Sequence, residues 1–215
     1  MDEIIFVDKP AGITSFGAVA RVRRVLSARE GHKVKVGHTG TLDPFATGLL
    51  ILMAGKATKR CPEFMKLDKV YEATLCLGAT SSTGDPEGEI QQKSNTPISR
   101  EQFEQAIAKF VGEIEQRPPV FSAIKINGER AYKLARAGKS VEMPTRKVQI
   151  YAIDILEFNY PTAKIRCHVG SGTYVRTLAE DIGEALGCGA YLTALRRTQI
   201  ADYRIDKLSL FQLPE

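Results

Sequence analysis

In the stretch GHTGTLDPFATGLL, residues 37–50, a single carboxylate, Asp43, sits among three glycines, three threonines and one histidine, with no second acid and no cysteine. Asp before Pro is a common turn initiator, so a structural reading of Asp43 is open. The density of special residues points to a loop whose backbone is held between two anchoring strands, which is where a working side chain is placed. A lone carboxylate there can serve as nucleophile or general base. The acid pair of a glycoside-type hydrolase has no second member in the loop, and only folding could bring Asp85 or Glu180 close.

A second candidate is Arg176, in GSGTYVRTLAEDIG at 170–183. The spacing predicts a helix over 173–186, which puts this cation in the first turn. There it opposes the helix dipole at about 0.3–1 kcal/mol unless a carboxylate answers it. If Asp43 is that carboxylate, the guanidinium keeps it ionised at neutral pH and fixes its direction. Other candidates fail on spacing. Gly55-Lys56 with Thr58 is not a P-loop, because Leu50 stands where the first glycine is required. Gly37-His38-Thr39-Gly40 matches a four-residue RNA-backbone clamp, a pattern too short to decide anything alone. Cys61, Cys76, Cys167 and Cys188 form no CxxC pair and share no metal-ligand spacing with His32, His38 and His168, so no metal is expected.

The elements that must position these residues follow from periodicity. Residues 3–8 read as a buried strand, followed by a helix from Thr14 or Ser15 with Phe16, Val19, Val22, Val25 and Leu26 inward. Leu49 to Met53 reads as a strand, and Val70 to Leu77 as another with Tyr71, Ala73, Leu75 and Leu77 on one face. Residues 84–88 form a turn. Ser99 and Gln102 make a capping box for a helix with Phe103, Ile107, Phe110 and Val111 inward. A strand over 121–126, a turn at Asn127-Gly128 and a helix over 129–137 come next, then strands at 147–158 and 163–169. The last helix turns Tyr174, Leu178, Ile182 and Leu186 inward. This mixed order predicts an α+β fold with a mixed, largely antiparallel central sheet flanked by helices.

The 215 residues carry 30 Lys and Arg against 25 Asp and Glu, a net charge of +5. Two segments concentrate the excess: Arg21 to Lys35 and Lys125 to Lys147. Solvated faces would explain both, and so would phosphate contact. The longest apolar run, Leu49 to Ala54, is far short of the roughly 20 residues of a membrane helix. No membrane association is expected, and the location expected is cytoplasmic.

Five segments together, in order, resemble the TruB family of tRNA pseudouridine synthases: DKPAGITS at 8–15, GHTGTLDPFATGLL at 37–50, KVYEATLCLG at 69–78, RPPVFSAIKINGERAYKLARAG at 117–138, and GTYVRTLAEDIGEALG with LTALRR across 172–197. The resemblance covers nearly the whole chain. It implies a pseudouridine synthase fold, as one catalytic domain over 1–215 with an RNA-binding insertion at about 117–147 and without the C-terminal PUA domain that many members carry. It implies an isomerase that converts the T-loop uridine of tRNA, position 55, to pseudouridine. Asp43 is then the catalytic aspartate, Arg176 its ion-pair partner and Tyr71 the ring that stacks on the base. Leu195 packs around the base pocket and His38 takes part in opening the loop. Lys9, Tyr174 and Arg146 are counted with the substrate-binding residues. No metal, nucleotide or redox cofactor is implied, and the partner is the T-arm of tRNA, met by a monomer. The alternative is a non-catalytic RNA-binding or RNA-folding protein on the same scaffold.

Overall fold

The alternating segment KVYEATLCL becomes a strand in which every second side chain is buried, from Lys69 and Tyr71 to Leu77. The computed structural model describes residues 2–122, 124–126, 128–139 and 141–214. In chain order the elements are β1 (Glu3–Lys9), α1 (Ser15–Glu30), β2 (Val36–His38), β3 (Thr47–Ala54), α2 (Cys61–Met65), β4 (Lys69–Leu77), β5 (Ala79–Ser81), β6 (Ile90–Gln92) and α3 (Arg100–Ala108). There follow β7 (Gly112–Gln116), β8 (Lys125–Ile126), β9 (Glu129–Arg130), α4 (Ala131–Arg136), β10 (Arg146–Asn159), β11 (Thr162–Val169), α5 (Val175–Ala185), β12 (Ala190–Ile200) and β13 (Tyr203–Arg204). The chain divides into two compact units, residues 1–72 with 194–215, and residues 73–193. Strands β4 and β12 each run through both.

In the first unit the strand order is β1-β3-β12-β4, with β2 beside β3 and β13 beside β12. β1 and β3 pair antiparallel from Glu3↔Ala54 to Lys9↔Gly48. β3 is buried on both faces. Leu50 and Leu52 meet Ala18, Val19, Val22 and Leu26 of α1, while Leu49, Ile51 and Met53 meet Phe64 and Ile200. Arg197 lies opposite Gly48 in the parallel β3–β12 pairing. Gly48, at φ 104°, has to be glycine, because a Cβ there would fall onto the carbonyl oxygen of Arg197. The end of the chain docks on the same core: Phe211 N–H donates to Phe6 O at 2.8 Å, and Phe211 and Leu213 pack beside α1.

In the second unit the order is β12-β4-β11-β10-β7. The β10–β11 hairpin carries α3, whose Phe103 ring lies 5.3 Å from that of Phe158. The capping box on α3 is formed in both directions between Ser99 and Gln102. Helix α5 buries Val175, Leu178, Ala179 and Ile182. The pairings described are antiparallel apart from β3 with β12, in keeping with a mixed, largely antiparallel α+β sheet.

Four expectations change. Phe16, placed inward by periodicity, is 69% exposed; Ser15 and Ala18 take the inner line of α1. Val111 is 48% exposed, because α3 ends at Ala108, before its last two expected core positions. The strand over 121–126 shrinks to Lys125–Ile126, and the helix starts at Ala131, because residues 129–130 pair back on 125–126. Ala123 of that strand and Asn127 of the turn lie outside the described residues. Strand β12 was not expected at all.

On α5, burial, with Glu184 adding to it, raises the Asp181 carboxyl from 3.8 to about 6. The folded protein thus binds the proton more tightly than the unfolded chain does. Stability is lost as pH rises from about 4 to 6, and the loss is complete above that. Asp181→Asn should therefore stabilise the protein by about 1–2 kcal/mol at pH 7.5 and by almost nothing near pH 4. Thermal melts at the two pH values check this.

Candidate active site

The two chain neighbours of Asp43 are both held. Leu42 exchanges two hydrogen bonds with the buried hydroxyl of Ser15: Ser15 Oγ donates to Leu42 O at 3.0 Å and accepts from Leu42 N–H at 2.8 Å. Pro44 O accepts from Gly12 N–H at 2.8 Å and from the Lys9 ammonium at 3.3 Å. Asp43 itself accepts at its carbonyl from Ala46 N–H, closing the turn at 3.1 Å. The segment 8–15 and the loop 37–50, separate in the chain, thus form one piece of structure. The loop's backbone is fixed by side chains from outside it, the preorganisation a reacting carboxylate needs.

Lys9 is fully buried, and its ammonium also donates to Pro10 O and Ile13 O, each at 2.8 Å. Through these carbonyls and that of Pro44 it ties the loop to the segment 8–15. Beside it, Asp8 forms a two-pronged ion pair with Arg196, at 2.7 and 3.0 Å. His38 stands edge-on to the exposed ring of Phe16, with centroids 5.1 Å apart. Tyr71 and Leu195 are both buried, at 8% and 7% exposure. The Arg197 guanidinium lies 6.0 Å from the Tyr71 ring centre.

Sequence reasoning passed over Arg197 and Ser15. For Arg197 a signal was present, since it follows Leu195 by two positions and so shares its strand face. Lys69, also on the inner line of β4, is pushed down to about 8, first by burial and then by the Arg197 guanidinium. Its ammonium donates to Met65 O and Leu67 O.

In the second unit Arg176 is buried in the first turn of α5, as its position predicted. Its Nη1 donates to Thr83 O at 3.0 Å and to Asp85 Oδ2 at 3.3 Å, and its Nη2 to Phe121 O at 2.9 Å. Asp85 also accepts from Thr83 Oγ1 at 2.6 Å and Glu87 N–H at 3.0 Å. The acid weighed as a hydrolase's second carboxylate is therefore engaged on both oxygens as an acceptor. Glu180 lies close by, where a Cβ on Gly84 would come within 2.8 Å of its Oε1. Burial raises the Glu180 carboxyl against the pull of Arg176.

Helix α5 has no side-chain cap of its own at Tyr174. The buried amide of Gln116 supplies one from β7, donating to Tyr174 O at 3.0 Å and accepting from Tyr174 N–H at 2.8 Å. Arg146 lies 4.9 Å over the Tyr174 ring and donates to Gly172 O. Tyr174 and Arg146 are thus brought together at the mouth of α5, on a frame that also orients Arg176.

Comparisons with known proteins bear on the same segments. The model for the TruB family pseudouridylate synthase N-terminal domain matches residues 23–175, and that for the tRNA pseudouridylate synthase B C-terminal domain matches residues 176–215. A tRNA pseudouridine synthase B of Phocaeicola vulgatus is 50% identical over 216 residues, which cover 99% of this chain and 92% of the relative. That of Cupriavidus pinatubonensis is 48% identical over 94% of this chain, which spans 64% of the relative's length. Among solved structures, a Cbf5–Nop10–Gar1 complex holds a chain that matches with a TM-score of 0.72 and 31% identity, over 94% of this chain and 49% of that one. An H/ACA RNP bound to a substrate RNA containing 2'-deoxyuridine matches with a TM-score of 0.68 and 28% identity, over 94% of this chain and 48% of that one.

Proposed function

The chain belongs to the TruB family of pseudouridylate synthases, and from that premise we propose that it converts the T-loop uridine of tRNA to pseudouridine. The observation that carries this reading is the loop around Asp43, a partly exposed carboxylate whose two neighbours are fixed by Ser15, Gly12 and Lys9.

The reaction breaks the N1–C1′ glycosidic bond, turns the uracil in place and joins C5 to C1′; C5 gives up its proton and N1 gains one. A stacked uridine hides that bond, so the nucleotide must be flipped out at a few kcal/mol and restacked on an aromatic side chain, the role given to Tyr71. Asp43 acts at the ribose, as nucleophile on C1′ or as base on the C2′ proton, and either step needs it ionised. Arg176, Tyr174 and Arg146 keep the roles that the resemblance implies for them, and His38 and Leu195 theirs beside the base. Lys125, Lys133 and Lys139, exposed around β8 and α4, suit contact with T-arm phosphates, by a protein acting as a monomer.

The test uses an unmodified tRNA transcript and the same transcript with the T-loop uridine replaced by cytidine. Nucleoside analysis should find one pseudouridine per molecule of the first RNA and none in the second. Binding of both without product would favour the RNA-folding alternative, and release of free uracil a hydrolase.

A further inference from the structure

Arg197 is the largest of the fully buried side chains, at 1% exposure, and no carboxylate pairs with it among the described residues. A buried cation is costly unless its charge and its donors are met. Here they are met by main chain. Nε donates to Leu49 O at 2.7 Å, Nη2 to Gly40 O at 3.1 Å and Nη1 to Thr41 O at 3.4 Å. Two of these carbonyls stand where the chain enters the loop that carries Asp43, and the third where it has left the loop and become β3. One planar fork therefore staples the two ends of an eight-residue excursion, 41–48, and the Tyr71 ring lies against the same guanidinium.

The backbone around Arg197 is built to the same end. The register sets Arg197 opposite Gly48, and only a glycine at 48 lets the two strands approach this closely. A leucine at 197 would continue the packing of Leu195 without burying a charge, but it could hold neither end of the loop. A lysine would offer one ammonium where three separated acceptors need a fork.

We propose that Arg197 is a positioning residue for the isomerisation: it fixes the loop that presents Asp43 and seats the Tyr71 ring, without touching RNA. The part concerning rate rests on the reading given under Proposed function; the part concerning the loop does not.

Arg197→Lys and Arg197→Met should be compared with wild type and with Val22→Ala, a core truncation under α1 that lowers stability away from the loop. Three quantities are read at a temperature where circular dichroism shows each protein folded: the single-turnover rate on tRNA transcript, the transcript's Kd, and amide hydrogen exchange across residues 41–48. Arg197→Met should lose at least 100-fold in rate with Kd within threefold. Arg197→Lys should recover part of that loss. Both should exchange faster at the Leu42 and Ala46 amides than Val22→Ala does. If Arg197→Met does not fold, Arg197→Lys alone decides. Unchanged protection in 41–48, or a rate loss no greater than that of Val22→Ala, overturns the proposal. A wild type that makes no pseudouridine counts against the proposed function instead, and leaves the exchange result to judge Arg197.

Discussion

Asp43→Asn should lower pseudouridine formation by at least about 10,000-fold, equivalent to about 5.5 kcal/mol of transition-state stabilisation. Asn keeps the shape of the side chain and removes its negative charge, so it can neither attack C1′ nor take a proton from C2′. No other acid lies in 37–50 to replace it. The backbone bonds of Leu42, Asp43 and Pro44 do not involve the carboxylate, and Asn leaves them in place. The Kd for tRNA should stay within about threefold. Tritium at C5 of uridine gives a direct readout, since each turnover releases that hydrogen to water. Release by the variant at more than about one thousandth of the wild-type rate would remove Asp43 from the chemistry.

What the sequence could tell divides along a physical line. Wherever water lies on one side of an element, periodicity reads it: the face of β4 from Tyr71 to Leu77, the capping box at Ser99, and the alternation of Ala163, Ile165, Cys167 and Val169 in β11. The Asp43 loop was legible because glycines and threonines crowd it. What stayed hidden were polar groups satisfied inside. The donors of Lys9, counted by resemblance with the substrate-binding residues, and those of Arg197, given no role, end on main-chain carbonyls, which leave no trace in side-chain chemistry. The same feature hid β12, whose AYLTALRRTQI sets two adjacent arginines, one of them buried, in the middle of the strand. Phe16 misled in the opposite direction: it keeps helical spacing with the core of α1 but stands outside, against His38. The resemblance implies Asp43 as the acid partner of Arg176; the contact of Arg176 with Asp85, 91 residues away in the chain, depends on the fold of the second unit.

The Arg176–Asp85 pair should be the costliest polar contact to break in the second unit. Both side chains are about 5% exposed or less, and each is tied to further groups, Arg176 to two carbonyls and Asp85 to Thr83 and Glu87. Breaking a buried charged contact by removing one member typically costs about 3–5 kcal/mol, whereas an exposed pair such as Arg204–Asp206 is held by screened charges and contributes little. Asp85→Asn keeps the acceptor for Thr83 and removes the charge, so about 3 kcal/mol of stability should go, lowering the melting temperature by roughly 6–12 °C for a chain of this size. Arg176→Met should cost a similar amount and should also cost the activity. The double variant separates a true pair from two independent losses. With both members of the contact replaced, Asp85→Asn with Arg176→Met should be destabilised by at least about 1.5 kcal/mol less than the sum of the two single variants. Denaturant unfolding of the four proteins measures that coupling. An additive result would mean that Asp85 is not what holds Arg176 where the first turn of α5 presents it.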